Sequence, residues 1–301
     1  MRRRWPALAA SIPLVLGWAV ATAHPASAAT PGGGSDGPAT TSGVRPGGPV
    51  SALSTPGMPS GTVAPQISGR QLRAVPGGGR RSSVVTSSNW AGYIAPGPGG
   101  AFTSAAASWT EPTGRCTGRD GRYSAFWVGL DGYTSPTVEQ IGTEVDCYGL
   151  YPRYYAWYEI YPGAAVNFPN PVSPGDQFSG SVTYHSPSTF GLVLTDRTKG
   201  WTQRASVTLA NAQRSSAEAV AEAPCCTFGG GVLPLTDFGP ASFSSVTVNG
   251  RSLATFHPLE IVMPGTSVSA VNASGGFTVS YTGFPGFPGF PWSGPARSAS
   301  G

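Results

Sequence analysis

The sequence predicts an all-β protein, a sandwich of packed antiparallel sheets, and three observations predict it. From Val84 onward, short runs rich in Val, Ile, Thr, Tyr, Phe and Trp recur between clusters of Gly, Pro, Ser, Asn and Asp. Two of those runs alternate residue types with period 2, as a strand with two unlike faces does. Only one of the runs is rich in helix formers, and no repeat of about 20–50 residues is visible. Strands this short and this regularly spaced build a sandwich rather than a parallel α/β sheet.

The first 83 residues stand outside that pattern. Residues 1–28 have Arg2, Arg3 and Arg4, an apolar stretch from Trp5 to about Ala23, and Ala26-Ser27-Ala28 at their end. That is the pattern of a secretory signal peptide, which places the protein outside the cell. Residues 29–83 read as a propeptide or linker: Pro31–Ser83 has 21 Gly plus Pro in 53 residues and too little apolar surface to offset its ordering entropy. The basic run GGGRRSS at Gly77–Ser83 is a candidate processing point.

The folded part, residues 84–282, then takes its strands in order. Asn89–Ile94 (NWAGYI), Phe102–Trp109 and Tyr123–Leu130 come first. In Thr137–Val145, alternation puts Val138, Gln140, Gly142 and Glu144 on one face and Glu139, Ile141 and Thr143 on the other. Tyr154–Tyr161 groups Tyr155, Trp157, Glu159 and Tyr161 in the same way. Gln177–Tyr184, Phe190–Thr195 and Trp201–Leu209 follow, the last two joined by a hairpin turn at Thr195–Gly200. Ser215–Ala223 (SSAEAVAEA) is rich in helix formers, and Ser215 with Glu218 would make a capping box. Sheet context overrides so weak a propensity, and a strand is predicted. In either conformation Glu218 and Glu222 share a face. Ala241–Val248, Ser252–Phe256, Leu259–Met263 and Phe277–Tyr281 complete the set, and residues 283–301, with three Phe-Pro units, read as a low-complexity tail.

Charge and cysteine usage bound the partners. The net charge of +4 comes from the leader, where eight of the 18 Lys+Arg precede Val84. From Val84 onward 10 basic residues face 13 acidic ones, a formal charge of −3, which removes the main electrostatic support for binding nucleic acid. No membrane association is expected once the signal is cut, and a monomer is expected. All four cysteines, Cys116, Cys147, Cys225 and Cys226, lie in the folded part. Cys116 with Cys147 would close a loop around the Trp127 strand and add about 3–4 kcal/mol on the chain-entropy argument. The adjacent Cys225-Cys226 pair can form only a strained ring with each other, and the connectivity stays open.

Familiar catalytic sets are missing. After the leader only His185 and His257 remain, with no HExxH, no GxSxG and no glycine loop running into a helix, so neither a metal nor a cofactor is expected. What remains is carboxylate chemistry. Five of the thirteen acids of the folded part are Glu139, Glu144, Glu159, Glu218 and Glu222, next to the aromatic strands or in the SSAEAVAE run. A single Glu on a strand is most simply a solvated face. A cluster raises the pKa of its members and lets one act as base and then as acid. A face with Gln140, Glu144, Trp157 and Glu159 is a poor core face, since each buried polar group without a partner costs about 1–3 kcal/mol. A wet groove floored by the sheet is expected.

Five motifs occur in order: Ser88-Asn-Trp-Ala-Gly92, Trp127-Val-Gly-Leu-Asp-Gly132, Val138-Glu-Gln-Ile-Gly142, Ala156-Trp-Tyr-Glu-Ile-Tyr-Pro162 and Ser216-Ala-Glu-Ala-Val-Ala-Glu222. The set resembles the glutamic peptidases, or eqolisins, from about Ser87 to Tyr281. That resemblance implies a secreted acid endopeptidase made with a signal and a propeptide. It also implies two packed antiparallel sheets, a concanavalin-like jelly roll, with polypeptide substrates lying across a concave face. By motif, the catalytic pair is Gln140 and Glu222, with Glu222 activating water as general base and Gln140 holding the water and stabilising the oxyanion. Trp90, Trp127, Asp131, Glu144 and Glu159 match positions that line the eqolisin cleft, and Trp157 and Tyr154, Tyr155, Tyr158 and Tyr161 lie beside them. A carboxamide both accepts from water and donates to an oxyanion, so Gln suits that role. A Glu base with an ordinary pKa near ~4.3 works in acid. The sequence departs from the family pattern in the small residues Ala219-Val220-Ala221, in Glu144 where Asp is common, and at Cys225-Cys226. A glycoside hydrolase using two of the five glutamates, or a carbohydrate- or peptide-binding sandwich without turnover, is the competing expectation.

Overall fold

The computed structural model describes residues 67–74 and 81–83 in backbone, and residues 84–118, 121–224 and 232–283 with their side chains. They fall within the compact unit Ala52–Gly301; the other unit, Met1–Ser51, lies outside the described residues, as do the tail and Cys225-Cys226. The strands among the described residues are β1 (Ile67–Ala74), β2 (Arg81–Ser87), β3 (Trp90–Pro96), β4 (Ser104–Thr110), β5 (Arg122–Asp131) and β6 (Val138–Tyr148). Next come β7 (Tyr151–Tyr161), β8 (Val166–Phe168), β9 (Gln177–His185), β10 (Thr189–Asp196), β11 (Trp201–Thr208) and β12 (Ser216–Glu222). The last are β13 (Pro240–Val248), β14 (Arg251–Ser252), β15 (Leu259–Val262), β16 (Thr266–Val268) and β17 (Phe277–Tyr281).

They form two sheets, and the all-β sandwich expected from the sequence is the fold. One sheet has nine strands in the order β1-β2-β15-β3-β12-β5-β6-β7-β8; the other runs β11-β10-β9-β4-β13-β17-β16, with β14 paired to β13. Every pairing is antiparallel except that of β2 with β15. Alternation decides which side chains meet between the sheets. Phe126, Val128, Leu130, Ile141, Ala217, Ala219 and Ala221 of the nine-stranded sheet join Trp109, Phe178, Phe190, Leu192, Leu194, Phe243 and Val279 of the other in one buried cluster. The Trp109 indole N–H donates to Thr143 Oγ1 at 2.9 Å, which gives its one polar atom a partner inside that core. The alanines of β12 leave room there for Phe126 and Phe238, packed edge to face at 5.3 Å.

The structure amends some expectations and bears out others. Ser252–Phe256 is not a strand. Arg251–Ser252 pair with β13, and then Leu253–Phe256 make one 3-10 turn, because Ser252 Oγ accepts from the Ala254 N–H and satisfies the amide that a ladder would have used. Within Ser215–Ala223 the strand expected despite its helix formers is found as β12, held between β3 and β5. Part of the 29–83 region also enters the fold: β1 and the start of β2 form a hairpin on the edge of the nine-stranded sheet. Cys116 and Cys147 are disulfide-bonded, tying the loop before β5 to β6.

Candidate active site

Period 2 gives the nine-stranded sheet a second face, turned away from the other sheet. In register, Glu222 of β12 sits opposite Trp90 of β3 and Ala125 of β5, and Ala125 sits opposite Glu144 of β6. One rung along, Val220, Trp127, Gly142 and Trp157 line up; on the next, Glu218, Gly129, Gln140 and Glu159 do. Side chains on one rung share a face, so residues from five strands converge on a patch three rungs tall. Gly142 is needed at its centre, because a Cβ there would lie 2.3 Å from Phe126 O and 2.5 Å from Trp127 Cβ. The Trp127 ring lies over Gly129, where a Cβ would come 2.9 Å from its Cζ3, and packs edge to face on Trp90 at 4.8 Å.

Several polar groups of this face bind one another. Trp127 Nε1 donates to Glu222 Oε2 at 2.7 Å and Asn89 Nδ2 to Oε1 at 3.3 Å. Asn89 is itself oriented by Ser87, whose hydroxyl donates to Asn89 Oδ1 at 3.0 Å and accepts from the Asn89 and Trp90 amides. Gln140 Nε2 donates to Glu159 Oε2 at 2.7 Å, which fixes the rotation of the carboxamide. Trp157 lies against the same apolar cluster as Trp90, Trp127 and Val220.

Gln140 and Glu222 are both 0% exposed and Glu144 only 6%. The open wet groove expected from the sequence is therefore not what this face presents: its indole rings are themselves buried, and Trp157 Nε1, Glu144 Oε1 and both carboxyl oxygens of Glu218 are enclosed without a hydrogen-bond partner among the described residues. Burial pushes Glu222 well above the usual carboxyl range, the Trp127 bond pulls it back, and the nearby Glu159 carboxyl adds to the rise. Glu144 is likewise raised well above it, first by burial, then by Asp146, Glu222 and Glu159. Asp146, one period further along β6, is pushed up to about 6 by burial, opposed by hydrogen bonds from Glu144 and Tyr148.

Other acids stand elsewhere. Asp131, expected to line the cleft, ends β5 in the left-handed region (φ 69), and its carboxylate accepts from the amides of Arg214 (2.6 Å) and Ser215 (2.8 Å). It anchors the chain entering β12. Glu218 shares the face of Glu222 and is raised by burial and then by Asp131. Glu139 points the other way and is pushed up to about 8 by burial and Asp131. Asn89 was not among the residues singled out, although the Ser88-Asn-Trp motif contains it; an amide beside a conspicuous Trp gives no chemical signal until Glu222 is seen next to it. Among the described residues no group of three or more His, Cys, Asp or Glu is placed to hold a metal ion.

Chemically, the face offers an amide fixed by one carboxyl and a second carboxyl held by ring N–H and amide donors. Such a set can orient water, stabilise a developing oxyanion, and take up and return a proton. Comparisons with known proteins give the fold and the family. No curated protein matches the chain. Scytalido-glutamic peptidase, solved with a transition-state analogue inhibitor, is similar at 27% identity and a TM-score of 0.56, over 64% of this chain and 98% of its own. SCP-B, a member of the eqolisin family solved with the tripeptide Ala-Ile-His, is similar at 27% identity and a TM-score of 0.51, over the same shares. Residues 88–281 match the model of the Peptidase A4 family. They span the strands from β3 to β17 and both partners of the Gln140–Glu159 and Trp127–Glu222 bonds, and the chain belongs to that family, the glutamic peptidases.

Proposed function

We propose that this peptidase is secreted and cuts polypeptides in acid, with Glu222 as general base and Gln140 as its partner amide. The observation that supports the assignment is the common face. Residues 140 and 159 share one rung and residue 222, far along the chain, lies on the same face at the other end of the three-rung patch, where Gln140 binds Glu159 and Glu159 influences Glu222.

In this reading Glu222 takes a proton from water as the water oxygen bonds to the scissile carbonyl carbon. The carbonyl π pair moves to its oxygen, and the Gln140 N–H donates to that oxyanion. The Glu222 carboxylic acid then returns its proton to the amide nitrogen as the C–N bond breaks, leaving a carboxylic acid, an amine and the starting carboxylate. Burial favours the protonated Glu222. A base must first lose that proton, so water and substrate have to reach the carboxyl, and their arrival lifts the desolvation penalty that raised it.

The test is cleavage of denatured protein at about pH 3–5, where a carboxylate base works, by the native protein and two variants. Glu222→Gln is expected to leave no turnover. Gln140→Ala is expected to fold normally and lose about 100- to 1000-fold in kcat, the usual effect of removing an oxyanion donor. Undiminished cleavage by either variant removes that residue from the mechanism.

A further inference from the structure

The strand β1 belongs to the Gly/Pro-rich leader, yet it pairs along its length with β2, from Ile67 opposite Ser87 to Ala74 opposite Arg81. β2 in turn pairs in parallel with β15, and β15 with β3. Order in the sheet therefore places β1 at an edge, four positions from the β12 strand of Glu222 and farther still from the β6 strand of Gln140. A strand held there satisfies a row of backbone N–H and C=O groups on β2 that would otherwise face water or another chain. The candidate processing run, Gly77–Ser83, falls on the connection between β1 and β2 and on the start of β2, so a cut within the connection severs the chain without touching the ladder.

The far end of that ladder is not neutral ground. Ile67 is paired with Ser87. Ser87 orients Asn89 through three hydrogen bonds around its hydroxyl, and Asn89 donates to Glu222. We propose that residues 67–74 are a docked cover strand that remains on the β2 edge after the 75–80 connection is cut, and that its presence steadies the Ser87–Asn89 corner holding Glu222. The attachment of the leader is thus a backbone ladder at the sheet edge, and the edge of β2 is an interaction surface whose occupant is a segment of this same chain. The positioning half of the inference rests on the reading of Glu222 as base; the docking half does not.

The experiment replaces Gly77–Gly79 of the full chain with the recognition sequence of a site-specific endopeptidase, in the Glu222→Gln background so that self-cleavage cannot confuse the result. After the cut, the fragment containing residues 67–74 is expected to co-elute with the body in native gel filtration, with slow amide hydrogen exchange across 67–74. A Gln71→Pro, Leu72→Pro variant, in which one ladder donor of β1 is lost and its backbone is constrained, is expected to release the fragment. A fragment that separates at once and exchanges like a free peptide overturns the docking.

A second arm uses the same cut in the otherwise native sequence, stripping the fragment with mild denaturant and adding back a synthetic peptide of residues 61–76. Removal is expected to speed exchange at residues 84–89 and to lower kcat about fivefold at unchanged KM, the effect of weakening one hydrogen bond to a charged group. Loss of the Asn89 donation favours the protonated carboxyl, so the acid limb of the kcat profile is expected to move to higher pH, although Glu144 and Glu159 still face Glu222 from β6 and β7. Ser87→Ala is expected to reproduce the shift with the strand in place, and Ser87→Thr to reverse it. Unchanged kcat and an unmoved limb after removal overturn the positioning. Because the first arm reads no catalysis, a failure of the Glu222 assignment leaves its result intact; that failure shows itself directly in the variants of the peptidase test and takes the positioning half with it.

Discussion

Trp127→Phe keeps a ring on the Gly142 rung and removes a single N–H. That N–H is the shortest hydrogen bond to Glu222, and it opposes the effect of burial on the carboxyl. Without it the proton is held more tightly, so the acid limb of activity is expected to shift upward in pH, with kcat reduced about tenfold, as for a charge-assisted bond of about 1.5 kcal/mol. A pH–rate profile checks this, and an unshifted limb contradicts it. Asp131→Ala is the contrasting case. Its carboxylate binds the amides of Arg214 and Ser215, so the expected loss is about 2–3 kcal/mol of stability in denaturant unfolding, with the position of the acid limb unchanged. The two residues show how far single positions are legible. Trp127 and Glu222 stand out through the motifs that resemble the glutamic peptidases, Glu222 also as one of five clustered glutamates. Asp131 looks equally functional in sequence, and only its left-handed backbone and the return of residue 214 to its side assign the carboxylate to the loop.

Strands are the scale at which the sequence is most informative. Alternation in Thr137–Val145 and Tyr154–Tyr161 gives the faces that β6 and β7 present, and the register then carries that grouping across five strands. Gly142→Ala tests how tightly the elements fit. The added methyl would meet the backbone of β5, which cannot turn aside as a side chain can, so a loss of about 1–3 kcal/mol is expected in thermal unfolding. A Tm equal to that of the native protein argues against the close approach. Where local chemistry competes with the ladder, the strand pattern misleads: Ser252 caps its own turn, and Leu253–Phe256 leave the sheet although their composition suits a strand. β1 escaped notice for a different reason. Its residues lack the apolar alternation that marks a buried face, and backbone pairing at an edge leaves no such mark.

At the scale of the whole molecule, buried carboxyls set the response to pH. Glu111, enclosed near Thr143, and Glu139 are both pushed up to about 8, chiefly by burial. A carboxyl whose folded pKa exceeds its unfolded value of 4.5 binds its proton more tightly when folded. Its stability is complete below about 4.5 and is lost as pH rises toward the folded pKa, at about 1.4 kcal/mol per unit. Tm is therefore expected to be highest near pH 4 and to fall steadily to pH 8, with Glu139→Gln flattening part of the fall; a Tm that climbs over that range contradicts the argument. Which acids are enclosed depends on packing between sheets and has no counterpart in local sequence.

The seven residues of β12 do two unrelated jobs on opposite sides of one ribbon. Ala217, Ala219 and Ala221 are spacers that set how near the two layers come, while Glu218, Val220 and Glu222 look outward. Inherited changes at odd-numbered sites would therefore be filtered by foldability and those at even-numbered sites by reactivity, so that a lineage can retune its cutting chemistry here without renegotiating its architecture.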